Sequence, residues 1–194
     1  MSKSPWIQTY TGLRAHILNL CAEQILMEDI AHSLALTCRF RGHCRGFYSV
    51  AQHSVLAAQL APTGLKMKAL LHDAFEAYFS DVARPIKNLV TIGGRDIDEL
   101  ENEILGRIMQ TYGVTPPTDE EARLIKDVDN ALLLAEARDL MHGSPSAEEW
   151  GIDSEPYEGT ITPWPWELAK ERFLACFKCL YDNPECETKC VPGN

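Results

Sequence analysis

Along most of this chain apolar residues recur at intervals of three and four, the spacing of a helix that buries one face. Between Met27 and Thr37 the repeat runs through Ile30 and Leu34, with alanines filling the gaps. A polar stretch at 39–46, RFRGHCRG, interrupts it. Ser49 then stands where a helix N-cap belongs. The helix after it carries Val50, Leu56, Ala57 and Leu60 on one stripe, with His53 on or beside that stripe, and Pro62-Thr63-Gly64 ends it. The same spacing predicts one helix over 66–79 and another over 97–112. A third runs from Thr118 or Asp119 to about Met141, with Ile125, Val128, Leu132 and Ala135 inward, and a last one spans about 165–181. Residues 143–165 are rich in Gly, Ser, Pro and acidic groups and read as a long irregular excursion. Period-two alternation is scarce; it predicts at most a short strand or hairpin near Trp6–Tyr10. No internal repeat interrupts the pattern. The expected fold class is all-α.

Composition narrows the setting. The 194 residues suit one domain with a sizeable core, 45% of them apolar and 24% charged. The expected division is a domain over 1–182 and a Cys-containing tail over 183–194 that packs loosely. No apolar run approaches the roughly 18–20 residues that span a bilayer. The first residues lack the apolar core of a signal peptide, so a cytoplasmic protein without membrane contact is expected. A net charge of −10 argues against coating polymeric nucleic acid. An anionic small molecule can still bind where local cations or a metal ion offset that field. Seven cysteines, an odd number in a cytosolic context, are expected as reduced thiols. Cys176, Cys179, Cys186 and Cys190 form C-x2-C-x6-C-x3-C, a spacing that resembles a zinc site but has a short insert between its pairs.

The chemistry concentrates at a few polar residues on apolar helical faces. His72 and Asp73 directly follow Ala69, Leu70 and Leu71. Burying a carboxylate beside an imidazole is costly unless a hydrogen-bond network or a metal ion compensates. His53 and Asp129 sit in the same way on two other helices. A single core histidine is usually just a satisfied hydrogen bonder. Four such groups from three helices instead make up the ligand set of a divalent ion. Glu76 lies four residues after His72 and three after Asp73, on the face they share. The basic loop holds Arg39, Arg41, His43 and Arg45, which is much cationic character for a chain with 18 Lys and Arg. Guanidinium forks match phosphate oxygens, so this loop is the best candidate phosphate clamp.

The ordered set H…HD…D, with the block HDAFEAYFSDVARPIK, SVAQHS before it and KDVDNALLLAEARDL after it, resembles the HD-domain metal-dependent phosphohydrolases. Within them it looks like the bacterial 5′-deoxynucleotidases and small phage-encoded enzymes such as dATP triphosphohydrolases. The resemblance covers most of the chain and leaves out the Cys-containing tail. It implies a helical bundle with a metal site between facing helices, His53, His72, Asp73 and Asp129 holding one divalent ion (Co, Mn, Zn, Fe, Ni or Mg). Asp127 competes with Asp129 but lies about 200° away around a helix, and the apolar stripe favours Asp129. Glu76 would position or protonate the water and leaving group, and Asp81 would hold the attacking water or a substrate hydroxyl. Arg39 followed by the aromatic Phe40 matches a family pair, though the family has tryptophan at the aromatic position. Lys87 matches a lysine near the phosphate, and Arg84 is a further candidate.

The expected activity is therefore metal-dependent hydrolysis of phosphate esters of 2′-deoxynucleotides, leaning to a triphosphohydrolase because of the extra basic residues in 41–45. The alternatives are a 5′-deoxynucleotidase acting on monophosphates and a non-catalytic nucleotide- and metal-binding sensor. The resemblance also implies a homo-oligomer, dimer or hexamer, and host cytoplasm if the chain is phage-encoded.

Overall fold

The structure is a computed structural model that describes residues 5–80, 82, 84–87, 89–143 and 146–186. The chain opens on a hairpin in which β1 (Ile7–Gln8) pairs antiparallel with β2 (Arg14–Ala15). Its tip is tied to the first helix, because Asp29 accepts hydrogen bonds from the Thr11 amide at 2.7 Å and hydroxyl at 2.8 Å. That helix, α1 (Met27–Leu36), turns Ile30, Ala31, Leu34 and Ala35 inward. After it comes α2 (Val50–Leu60), capped by Ser49, whose hydroxyl accepts from the Gln52 amide at 3.1 Å.

α2 is the central element. It packs against α1, α3 (Lys66–Leu71), α7 (Asp119–Leu140) and α8 (Trp166–Asp182). Its alanines and Ser54 let neighbours approach closely, which buries even the polar Gln52 and His53. The helix lies between two apolar clusters. The larger draws on α1, α3, α6 (Ile97–Thr111) and α8, with Phe173, Cys176 and Leu180 deep inside. The smaller joins Tyr48, Ala57 and Ala69 to Ile125, Leu132 and Ala135 of α7. His53 emerges along this seam.

The helix expected over 66–79 is two pieces. α3 ends at Leu71, and α4 (Glu76–Phe79) starts after a tight passage through His72–Phe75. There the amides bond three residues back, Ala74 to Leu71 at 2.9 Å and Glu76 to Asp73 at 3.0 Å. Such a turn is tighter than an α-helix and eclipses side chains three apart. It therefore aligns Glu76 with Asp73. After α5 (Arg84–Lys87) comes a second hairpin that the alternation pattern does not predict, β3 (Thr91–Ile92) with β4 (Arg95–Asp96). Gly93 and Gly94 both have positive φ, 61° and 80°, the geometry of the turn that matches strand twist.

α7 begins with a reciprocal cap: the Thr118 hydroxyl accepts from the Glu121 amide, and the Glu121 carboxylate accepts from the Thr118 amide at 2.7 Å. Thr118→Ala is expected to lower stability by about 1 kcal/mol, the usual cost of a lost N-cap, read as a shift in the urea midpoint at constant slope. The 143–165 excursion is irregular, as its composition implies, but pinned. Gln52 holds it by accepting from the Trp164 amide and donating to the Thr162 carbonyl, both at 2.8 Å. The start of the tail is not loose: Cys186 is buried in the larger cluster, and its carbonyl accepts from Lys66 at 3.1 Å. Cys179 and Cys186 bring their sulfurs to 2.7 Å, Cys176 is a core residue, and Cys190 lies outside the described residues. Among the described residues no helix is long and apolar enough to cross a membrane.

Candidate metal centre and cleft

Three side chains from three segments converge where α2, the 72–75 turn and α7 meet. The ligand atoms of His53, His72 and Asp129 all lie within 4.8 Å of one another. His53 Nε2 is 3.2 Å from His72 Nε2 and 3.3 Å from Asp129 Oδ1. Asp73 stands at the edge of this group. Its Oδ2 lies 3.2 Å from His72 Nε2 and 3.6 Å from His53 Nε2, and accepts from Arg39 at 3.3 Å. A tetrahedral ion with bonds of about 2.0–2.1 Å sets neighbouring ligand atoms about 3.3 Å apart.

Hydrogen bonding fixes which ring nitrogens face this point. His72 Nδ1 lies 2.7 Å from the Ala69 carbonyl oxygen, which can only accept, so Nδ1 carries the hydrogen. His53 Nδ1 lies 2.7 Å from Glu136 Oε1 and donates to it. Both Nε2 atoms are thereby left facing each other at 3.2 Å. Two lone pairs at that distance repel unless a proton or a cation lies between them. The group could hold a divalent ion: imidazole, imidazole and carboxylate suit Zn²⁺, Mn²⁺, Fe²⁺, Co²⁺ or Ni²⁺.

Glu136 is the residue that the sequence reading did not select. It is fully buried on α7, seven residues after Asp129 and so on the same face. Besides His53 it accepts from Tyr48 at 2.7 Å and Arg39 Nε at 3.1 Å. Arg39 continues through Asp73 to within 3.9 Å of Asp129. Orienting a ligand histidine through its second nitrogen is the usual outer support of a metal centre. Burial alone would raise the Glu136 carboxyl, but the charges of Arg39 and His53 and its hydrogen bonds hold it below the ordinary carboxylate range. Asp129 is held well below that range against the effect of burial by its bond to His53 and the charges of His53, His72 and Lys126.

Burial and Arg39 push the His53 imidazole down, but Glu136 and Asp129 outweigh them and raise it from its ordinary 6.5 to about 9. A raised folded-state value means that protonated His53 stabilises the metal-free fold fully below 6.5. That contribution is lost as pH climbs through about 9. An incoming ion must displace the same proton. Its affinity is expected to rise about tenfold per pH unit as pH climbs toward about 9 and then level off, measured by calorimetric titration in buffers of different ionisation heat.

A cleft of about 810 Å³ opens over the centre, with Asp73, Glu76 and Asp129 at its base. Glu76 is buried and faces this space from the start of α4. Phe40, Arg41 and His43 line the wall, and Lys87 lines it while paired to Glu101 at 2.5 Å. Arg39 lines it too, but its guanidinium is committed to carboxylates. Arg45 does not line the cleft. Its amide and guanidinium bond the Leu140 and Asp139 carbonyls, where a cation complements the C-terminal end of α7. The lining residues that were not selected from the sequence include Lys126, 2.6 Å from Asp129, and Trp150. Asp127 is exposed on α7. Asp81 and the side chain of Arg84 lie outside the described residues.

No family model matches the chain. The uncharacterized protein YfdR of Escherichia coli (strain K12) is 38% identical to it over 157 residues, 76% of this chain and 84% of the E. coli protein. The chain belongs to the YfdR family. An uncharacterized protein of Rhodobacter capsulatus extends the group, at 33% identity over 146 residues, 69% of this chain and 73% of its own length. Membership in the YfdR family brings no assigned activity with it, so the chemistry rests on the residues of the cleft.

Proposed function

We propose that this chain is an HD-type, metal-dependent phosphohydrolase that acts on 2′-deoxynucleotides, with triphosphates as the leading substrates. The observation that carries the reading is the pair of imidazoles, each locked through Nδ1, whose Nε2 atoms meet a carboxylate at the base of a cleft lined with cationic groups. His53, His72 and Asp129, with Asp73, would hold one divalent ion. When bound, the ion would polarise a phosphoryl oxygen and lower the pKa of its water.

The chain's own groups account for the rest of the reaction. Water oxygen attacks phosphorus, the bond to the leaving oxygen breaks, and that oxygen takes up a proton. Glu76, buried and aligned with Asp73 by the tight turn, is placed to position the water and manage this proton. Arg41, Lys87 and Lys126 offset phosphate charge along the cleft. Their number favours a long phosphate chain. The withdrawal of Arg45 to the end of α7 favours a second reading, a 5′-deoxynucleotidase acting on monophosphates.

Product analysis decides between them. The protein is incubated with Mn²⁺, Co²⁺, Zn²⁺ or Mg²⁺ and a panel of dNMPs, dNDPs, dNTPs and ribonucleotides, beside Asp73→Ala. Nucleoside and tripolyphosphate from a dNTP, absent in the variant, is the expected result. Nucleoside from dNMPs alone moves the enzyme to the monophosphates. Nucleotide binding with no turnover in any metal overturns the hydrolase reading.

A further inference from the structure

The cleft is divided by polarity. Its acidic floor ends at Asp129, and four residues further along α7, about 6 Å up the axis, Leu133 begins an apolar wall. Met141, Ile152 and the rings of Phe40 and Trp150 supply the rest of its apolar lining, and Glu149 lines the cleft as well. The two ring centroids are 6.2 Å apart at an angle of 56°. An amphipathic ligand with an anionic end and a flat aromatic end fits such a division; a phosphate or a polyphosphate alone leaves the aromatic end empty.

Both rings are held in place, Phe40 at some cost. Phe40 has φ 54° and ψ 28°, and Arg41 has φ 56° and ψ 26°, left-handed backbone that disfavours side chains with a Cβ by about 1–2 kcal/mol each. The loop keeps this shape because Arg39 bonds the Tyr48 carbonyl at 2.9 Å and His43 bonds that of Phe40 at 2.9 Å. Trp150 sits on a turn with its own reciprocal cap: the Glu149 amide donates to the Ser146 hydroxyl at 3.2 Å, and the Ser146 amide donates to the Glu149 carboxylate at 2.7 Å. Ile152, buried beside it, anchors the turn. Strain that survives beside a cleft is a pointer to function.

We infer that Trp150, with Phe40, forms the base-binding subsite of this cleft and takes the nucleobase of a nucleotide by stacking. The inference rests on the nucleotide reading above and names the residue from the 143–165 excursion that gives it specificity. A purine offers the larger face to the indole of Trp150, with the tilted ring of Phe40 against its edge, so deoxypurine nucleotides bind more tightly than deoxypyrimidine ones.

The test is equilibrium binding, independent of turnover. Full-length protein in Ca²⁺ is titrated with each of the four dNTPs and with inorganic tripolyphosphate, followed by tryptophan fluorescence and calorimetry. The dNTPs, but not tripolyphosphate, are expected to quench the emission. Trp150→Leu is expected to lose that quench and weaken dNTP binding about 5- to 150-fold, the loss of one stacked base. It leaves tripolyphosphate affinity unchanged, and Trp150→Phe restores most of the dNTP affinity. Equal dNTP affinity in wild type and Trp150→Leu overturns the inference, as does an equal loss for dNTP and tripolyphosphate. Tight dNTP binding without hydrolysis overturns only the hydrolase reading. No dNTP binding to the wild type, in Ca²⁺ or in Mn²⁺, overturns both.

Discussion

Glu136→Gln is expected to fold and yet lose about 10- to 100-fold in affinity for a divalent ion, because the amide keeps the shape of the carboxylate but not its charge. Glu136 is the fully buried acceptor shared by His53, Tyr48 and Arg39. With an amide there, an N–H replaces either the oxygen that His53 and Tyr48 share or the one that Arg39 uses, and in both cases His53 loses the negative charge behind its ring. Glu136→Ala goes further. It removes the fully buried partner of the Arg39 guanidinium, which keeps only Asp73 and Asp129, and takes the acceptor from His53 and Tyr48; breaking a buried pair typically costs about 3–5 kcal/mol. Chemical denaturation of the metal-free variants separates the two results. The glutamine variant keeps its unfolding slope with a modest fall in midpoint, whereas the alanine variant loses a large share of a typical domain's stability.

His72→Ala is expected to cut phosphate release at least about 10³-fold, a loss of roughly 4 kcal/mol in transition-state stabilisation. His72 suits this test because its ring is partly exposed and its one fixed bond goes to the Ala69 carbonyl, while Asp73 keeps Arg39 and Asp129 keeps Lys126 as counter-charges once the ring is gone. A chelator should reproduce the loss in the wild type, and added Mn²⁺ or Co²⁺ should reverse it there but not in the variant. A variant that stays folded and retains wild-type turnover would remove His72 from the chemistry.

The helices were legible because their apolar spacing is regular and their caps are spelled out, as in Ser49 before α2 and Thr118 with Glu121 before α7. The break inside 66–79 was not legible. Bonds three or four residues back serve the same apolar positions, and only packing around His72 and Asp73 chooses between them. The second hairpin carried a signal in Gly93-Gly94, but its strands are too short to show alternation. His53, His72 and Asp129 stood out because polar groups on apolar faces are rare. Glu136 shares the Asp129 face at a spacing of seven and was open to the same argument. It passed for one more charge on a charged helix because nothing local marks it as buried. The turn of Arg45 away from the cleft was not legible for the opposite reason: a basic loop does not say which arginine turns away, and its partner Asp139 on α7 lies 94 residues on. Trp150 comes from a segment without periodicity, so only the tertiary fold brings it beside Phe40.

The central claim is a divalent-ion centre at His53, His72 and Asp129. It is tested most directly by titrating the metal-free protein with Mn²⁺ and counting free ion by electron paramagnetic resonance. Mn²⁺ prefers nitrogen and oxygen ligands, so the cysteines do not compete. The account predicts one ion per chain in the wild type and none at the same concentration in folded His72→Ala and Asp129→Asn. No binding to the wild type, or one ion per chain that both substitutions leave in place, would contradict it.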